Sequence, residues 1–251
     1  MKLKILAALS AMMFGFANHA YADETVAIKV GYMVLSPSGQ FAASAINAGT
    51  RVDMETDLGL KNSKQPTGEV IVNLGDSALS LGFVPMTFSG TAVLNRNITY
   101  NGQNYAAGST VSSDFKADMF DIGYTYYFIN MDDLPSRFQL GVETSLKTIT
   151  AKTSITSAGV TTSRNATVPI PTLGLRGRVA LADFVGVAGR VGYLGYSGNS
   201  ILDADAQVEF SPLPTLGIYA GYRQLKLKID SNSVYVNTTF SGPYAGAFFR
   251  F

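Results

Sequence analysis

Much of this chain alternates apolar and polar residues with a period of two, in stretch after stretch. A strand turns successive side chains to opposite faces, so each stretch describes a ribbon with one apolar and one polar side. Over Thr25–Leu35, Val26, Ile28, Val30, Tyr32 and Val34 share one face, and Ala27, Lys29, Gly31 and Met33 share the other. Phe120, Ile122, Tyr124, Tyr126 and Phe128 stand against Asp121, Gly123, Thr125 and Tyr127 in the same way. Segments 138–146, 173–181 and 202–210 repeat the pattern, with Glu143, then Arg176 and Arg178, then Asp203, Asp205 and Glu209 on the polar side. No run of 18 or more apolar residues follows residue 23. Membrane residence through helices is thereby excluded, and strands remain the one way to span a bilayer.

The alternation predicts about ten strands, near 25–35, 68–75, 78–88, 114–129, 137–150, 168–181, 184–197, 200–210, 216–229 and 241–251, with eight as the alternative. Short connections are expected at Gly75–Ser77, Met131–Pro135, Ala182–Asp183 and Ser211–Pro214. Long polar ones are expected at Ser36–Thr67, Gly90–Ser112, Ala151–Thr167 and Asp230–Thr239. Short turns at one end and long loops at the other are the plan of an up-and-down transmembrane β-barrel, and an even count puts both termini on the periplasmic side. Pro85 falls inside the third strand and predicts a bulge or the strand's end, since proline cannot donate to a ladder. The 216–229 strand changes phase near Arg223–Leu225, which predicts a bulge there.

The first 22 residues are expected to be removed. Lys2 and Lys4 precede the apolar run Ile5–Phe16, and Ala20-Tyr21-Ala22 fits a cleavage site, so this segment reads as a secretory signal peptide. Cleavage would leave residues 23–251 as one barrel domain, with 17 basic residues against 18 acidic ones and a net charge of −1. That balance offers no basic surplus for nucleic acid. There is no cysteine, and the single histidine, His19, lies in the leader. Barrel enzymes that use imidazole as a base have no counterpart here, so no catalytic role and no cofactor are expected.

The chain closes on Tyr244-Ala245-Gly246-Ala247-Phe248-Phe249-Arg250-Phe251. Tyr244, Gly246, Phe249 and Phe251 fit the C-terminal strand signal read by the barrel-assembly machinery, and the terminal aromatics suit an interfacial girdle. With this ending, Val52-Asp53-Met54-Glu55-Thr56-Asp57-Leu58-Gly59-Leu60, Ala220-Gly221-Tyr222-Arg223 and Ser241-Gly242-Pro243 resemble a family of proteobacterial outer-membrane proteins known mainly from sequence. The resemblance covers nearly all of residues 23–251 and implies an outer-membrane barrel. As partners it implies membrane lipids and lipopolysaccharide, with the assembly machinery and periplasmic chaperones during biogenesis. It implies no biochemical activity.

Polar positions turned inward would place Lys29, Lys147, Arg176, Arg178, Arg190, Arg223 and Arg250 in the lumen with Glu69, Asp121, Glu143, Asp203, Asp205 and Glu209. Arg176, Arg178 and Arg190 are expected on strands beside the one carrying Asp203, Asp205 and Glu209, and Arg176 is expected to pair with Asp203 or Asp205. About ten strands lie near the small end of the barrel series, where side chains fill the interior. An ion-pair plug is therefore expected, and a narrow pore with these charges as a selectivity ring is the alternative. Asp53, Glu55 and Asp57 alternate on what reads as a solvated acidic loop, with a cation site as the alternative. Asn95, Asn97, Tyr100, Asn101, Gln103, Asn104 and Tyr105 suit surface recognition, and Asn101-Gly102 is a hairpin turn signal.

Overall fold

A computed structural model describes residues 25–43, 50–131, 137–213, 215–231 and 234–251. The expected signal peptide, the turn residues Asp132–Pro135 and Pro214 lie outside the described residues. Thirteen strands follow in order: β1 (Val26–Ala43), β2 (Val52–Asp53), β3 (Ser63–Leu74), β4 (Ser77–Val93), β5 (Ile98–Tyr100), β6 (Gln103–Tyr105), β7 (Thr110–Met131), β8 (Phe138–Ser157), β9 (Val160–Ala182), β10 (Val185–Tyr196), β11 (Asn199–Leu213), β12 (Leu216–Ser231) and β13 (Val234–Arg250). All but β2, β5 and β6 form the wall. Each wall strand pairs antiparallel with its neighbours, and β13 pairs with β1 to close a ten-stranded barrel. Closure gives every strand two partners, which a sheet in lipid requires.

The outer surface is an apolar belt. On β7 it begins at Phe120, 59% exposed, and continues through Ile122, Tyr124, Tyr126 and Phe128. Leu79, Leu81 and Phe83 on β4, and Leu173 and Leu175 on β9, extend it around the wall. Exposed aromatics edge the belt on both sides: Tyr32, Tyr193 and Tyr222 toward one rim, Phe184, Phe210, Phe249 and Phe251 toward the other. An apolar band between aromatic girdles is the surface a barrel presents to a bilayer. The short turns at Gly75–Asp76 and Asp183–Phe184 lie at the same end as Val26 and Arg250, the end that the rule of short turns makes periplasmic.

The long loops expected at the opposite end are largely strand. Residues 151–167 are the outer part of a β8–β9 hairpin paired out to Ser157–Val160, turning through Ala158 and Gly159 at positive φ. The β12–β13 ladder runs out to Ser231–Val234 across the expected loop at 230–239. Within 90–112, β5 and β6 form a hairpin through Asn101-Gly102, both at positive φ, as a type I′ turn requires.

The expected bulge at Arg223 is absent. Pairing of β12 with both neighbours runs without a shift through Tyr222–Leu225, and Tyr219, Arg223, Leu225 and Leu227 all face inward. Alternation is intact; what changes is the polarity of the inward residue. Register shifts fall instead at Tyr127/Ile129, Val185/Gly186 and Phe210/Leu213, near the periplasmic turns.

Proline marks lost rungs. Pro169 and Pro171 lie beyond the last β9–β10 rung, Leu173–Tyr193. Pro85 is mid-strand and paired with Asp118 of β7, but it lies past Phe83, the last β4 residue paired with β3.

The belt gives a direct test. Ile122→Arg, at an outward position, should destabilise the barrel by about 2–4 kcal/mol in reversible unfolding from lipid vesicles. Thr172→Arg, directed into the filled lumen, should fail differently, by lowering refolding yield. Equal and small effects at both sites would contradict the assigned facing.

Candidate functional site: a lumen filled in two storeys

Most inward rows change chemistry at about the same height, while that of β3 stays polar through Thr67, Gln65 and Ser63. On β7 the row reads Tyr127, Thr125, Gly123 and Asp121 from the periplasmic end, then Met119, Ala117, Phe115, Ser113 and Val111. On β8, Glu143, Ser145 and Lys147 give way to Ile149 and Ile155. The same switch occurs at Met33 of β1, Val84 of β4, Ile201 of β11, Leu225 of β12 and Phe240 of β13. The lumen is therefore polar and charged below, and apolar above.

The lower storey is a connected ion-pair network. Arg223 is bidentate on Asp203, donating from Nε to Oδ1 at 2.9 Å and from Nη2 to Oδ2 at 2.8 Å. Lys147, 1% exposed, spans Asp121 at 2.6 Å and Asp203 at 2.8 Å. Arg190 donates from Nη1 to Asp121 at 3.0 Å and from Nε to Asp205 at 2.9 Å. Arg176 donates from Nη2 to Glu69 at 2.8 Å and from Nε to Glu143. Nearer the periplasmic end, Glu209 accepts from Lys29 at 3.2 Å, Arg178 at 3.0 Å and Arg250 at 2.6 Å. Tyr244, within 3.4 Å of Asp205 and 3.3 Å of Gln207, joins the two groups, because Gln207 donates to Glu209 at 2.7 Å.

Two expected relations need correction. Arg176 and Arg178 stand on β9, separated from β11 by β10, so of these three arginines only Arg190 is on a strand beside Asp203, Asp205 and Glu209. Arg176 accordingly pairs with Glu69 and Glu143, and the partners of Asp203 are Arg223 and Lys147. Tyr244 and Gly246 both lie inside. Gly246 leaves room for the Tyr219 hydroxyl, which a Cβ there would meet at 2.6 Å. Phe249 and Phe251 face outward with ring centroids 5.4 Å apart.

The upper storey contains a feature that the alternation does not reveal. Residues 50–62, expected as a solvated acidic loop, fold into the barrel mouth. Val52, Met54 and Leu58 are fully buried there, and Leu60 nearly so. They pack with inward residues of the wall, including Phe88 and Phe240, whose rings stack at 5.3 Å. Backbone bonds fix the plug: Met54 N–H donates to Gly39 O at 2.9 Å and Lys61 N–H to Ser89 O at 3.0 Å.

The three acids of this segment have separate surroundings. Asp53 Oδ1 accepts from the backbone N–H groups of Glu55 and Thr56. Burial works against that carboxylate, yet those backbone donors prevail and hold its pKa below the ordinary range. Asp57 is buried and accepts from Arg96 and from Asp53 N–H. Glu55 is exposed. The acids do not converge on one point. Tyr100 and Tyr105, read as surface residues, are buried against the plug, and Tyr105 donates to Ile155 O at 3.3 Å. The signal for this plug was the row of apolar residues between the acids.

These features define a ten-stranded transmembrane β-barrel with a filled lumen. Its fold is similar to that of the outer-membrane protease OmpT from Escherichia coli, at TM-score 0.55 and 11% identity, over 94% of this chain and 99% of that one. Further similar structures are the attachment invasion locus protein Ail of Yersinia pestis (TM-score 0.42, 14% identity, 90% of this chain, 99% of that one) and Neisserial surface protein A (0.39, 13%, 91% and 98%). No protein-family model and no curated protein matches the chain.

The pairing scheme predicts unequal costs. Arg176→Met leaves Glu69 and Glu143 without their shared guanidinium and should lower stability by about 3–5 kcal/mol. Adding Glu69→Gln and Glu143→Gln should recover most of that loss. Arg178→Met should cost less, since Glu209 keeps Lys29 and Arg250. Equilibrium urea unfolding in vesicles measures all three; equal costs for Arg176→Met and Arg178→Met would contradict the scheme.

Proposed function

We propose that this chain is a structural, surface-displaying barrel of the Gram-negative outer membrane whose lumen does not conduct. The observation that carries this reading is that both storeys are occupied by the chain itself. Seven cationic and six carboxylate side chains interlock below, and the 50–62 segment is buried above. A conducting filter needs charges that passing ions can exchange with, whereas Asp203, Glu209 and Lys147 are almost wholly enclosed by partners. The belt supports lipid as the surrounding partner, with lipopolysaccharide on the outer side. The β8–β9 and β5–β6 hairpins are the parts held out for surface contact.

We read the protein as non-enzymatic, because His19 is its only histidine and precedes the barrel. Its likeness to a protease is one of fold. Residues 1–22 keep the role of an export signal in this proposal. The outward Phe249 and Phe251, on the strand that closes the barrel against β1, keep the role of a signal to the assembly machinery.

Single-channel recording of the refolded protein in a planar bilayer tests this. The expected result is silence from a population whose heat-modifiable gel migration shows folded barrels. Reproducible steps with an ion selectivity that Arg176→Met alters would replace the plugged reading with a narrow channel.

A further inference from the structure

At one joint in the wall, prolines of both strands fall on the same rung. The β3–β4 ladder runs from Leu74–Ser77 only to Gly68–Phe83. Beyond it, β3 stays paired with β1 to Ser63, and β4 stays paired with β7 to Val93. Extending the register by two residues would set Pro66 opposite Pro85. On β4 the odd residues turn their backbone toward β3: Phe83 O accepts from Thr67 Oγ1 at 3.0 Å and Thr87 N–H donates to Ser63 Oγ at 2.8 Å. On β3 the N–H of Asn73 donates to Thr25 O, next to β1, so even residues turn toward β4. Both prolines therefore direct a nitrogen without hydrogen into the same rung, and neither strand can donate there.

The result is a window joined by side chains alone. The Gly68–Phe83 rung bounds it below, and the Ser63–Thr87 contact bounds it above. Its height is about 13 Å, four residues at roughly 3.3 Å each. It begins at the outer edge of the apolar belt: Phe83 pairs with exposed Phe120, while Pro85 pairs with Asp118. Exposed Tyr32 is opposite Pro66 on the other side. Behind the window, Val84, Met86 and Met33 belong to the apolar upper storey, which also holds Met54 and Met119. Four methionines give that storey a filling that repacks easily, because the side chain is unbranched and polarisable.

We infer that this window is a lateral portal through which a hydrocarbon chain passes between the outer leaflet and the upper storey. This goes beyond the non-conducting reading, since an alkyl chain moving sideways crosses no ion path. The occupant is apolar because the wall behind the window is, and it comes from lipid because the window begins where the belt ends. Val84 and Met86 line one side; Gln65 and Thr67, inward on β3, form the more polar other side.

The chain has no tryptophan, so Phe88→Trp places a single reporter in the upper storey, with Phe240→Trp as a second in case the first fails to fold. Each full-length variant is reconstituted in phosphatidylcholine vesicles, either with brominated acyl chains or unbrominated with added bromododecane. The expected result is quenching of tryptophan emission by at least one bromine source, and its loss when Pro66→Val and Pro85→Val restore the missing rung. Quenching by brominated lipid marks a membrane acyl chain as the occupant; quenching by bromododecane alone marks a free alkyl solute. A folded reporter that neither source quenches, or quenching unchanged by the two proline replacements, would overturn the portal.

Discussion

The lower storey depends on every buried charge having its partners. Moving an ion out of water costs several kcal/mol even after relaxation, and only well-formed pairs repay it. Nine of the ten wall strands contribute a charged side chain to this network; β4, with Ala78, Ser80 and Gly82 facing in, contributes none. The network thus constrains strand pairing as well as lumen content. A one-residue slip in any of those nine strands would turn its inward charge into the belt and bring an apolar side chain into the network. Register is fixed from inside the barrel as firmly as from the lipid side.

The storeys solve different packing problems. Below, long guanidinium and ammonium side chains cross the lumen from wall to wall, and inward glycines such as Gly246 and Gly31 make room for the Tyr219 hydroxyl among them. Above, the wall residues meet extra chain. The 50–62 segment brings Val52, Met54, Leu58 and Leu60 to Phe88, Phe115 and Phe240, and its own polar groups are met by Arg96 and by backbone donors. A charged filling at the mouth would sit close to water and be screened there. An apolar filling is strongest where it excludes that water from the network beneath.

The belt and the inward charges were legible because both follow the period of the strand. Phe120 through Phe128 and Asp203 through Glu209 each show the pleat without ambiguity. The upper storey was not, because an apolar residue facing in and an apolar residue facing out look alike in one dimension. At Arg223–Leu225 this likeness imitated a bulge, although the strand alternates evenly. Segments 151–167 and 230–239 resembled loops for another reason: few apolar residues mark the pleat there, and much of 151–167 is exposed strand. Individual pairs were not legible either: Arg176 meets Glu69 across the lumen, and contact across a closed interior depends on the full circuit of registers, which no local pattern encodes.

Proline shows how the sequence distributes strength around the wall. Pro169 and Pro171 follow the last β9–β10 rung; Pro169 lies beyond the end of β10, and Pro171, which the continued register would set opposite Gly195, faces no second proline. Pro66 and Pro85 differ, because β3 and β4 both continue past them and both lose their donor on the same rung. Local opening begins where backbone bonds are fewest. In this barrel that place is the joint beside β4, the one wall strand with no charge in the network and hence no ionic tie across the lumen. Weak lateral pairing and missing ionic ties on the same strand mean that β3 and β4 can separate at the outer rim without breaking an ion pair. The charged storey can stay closed while the apolar storey opens.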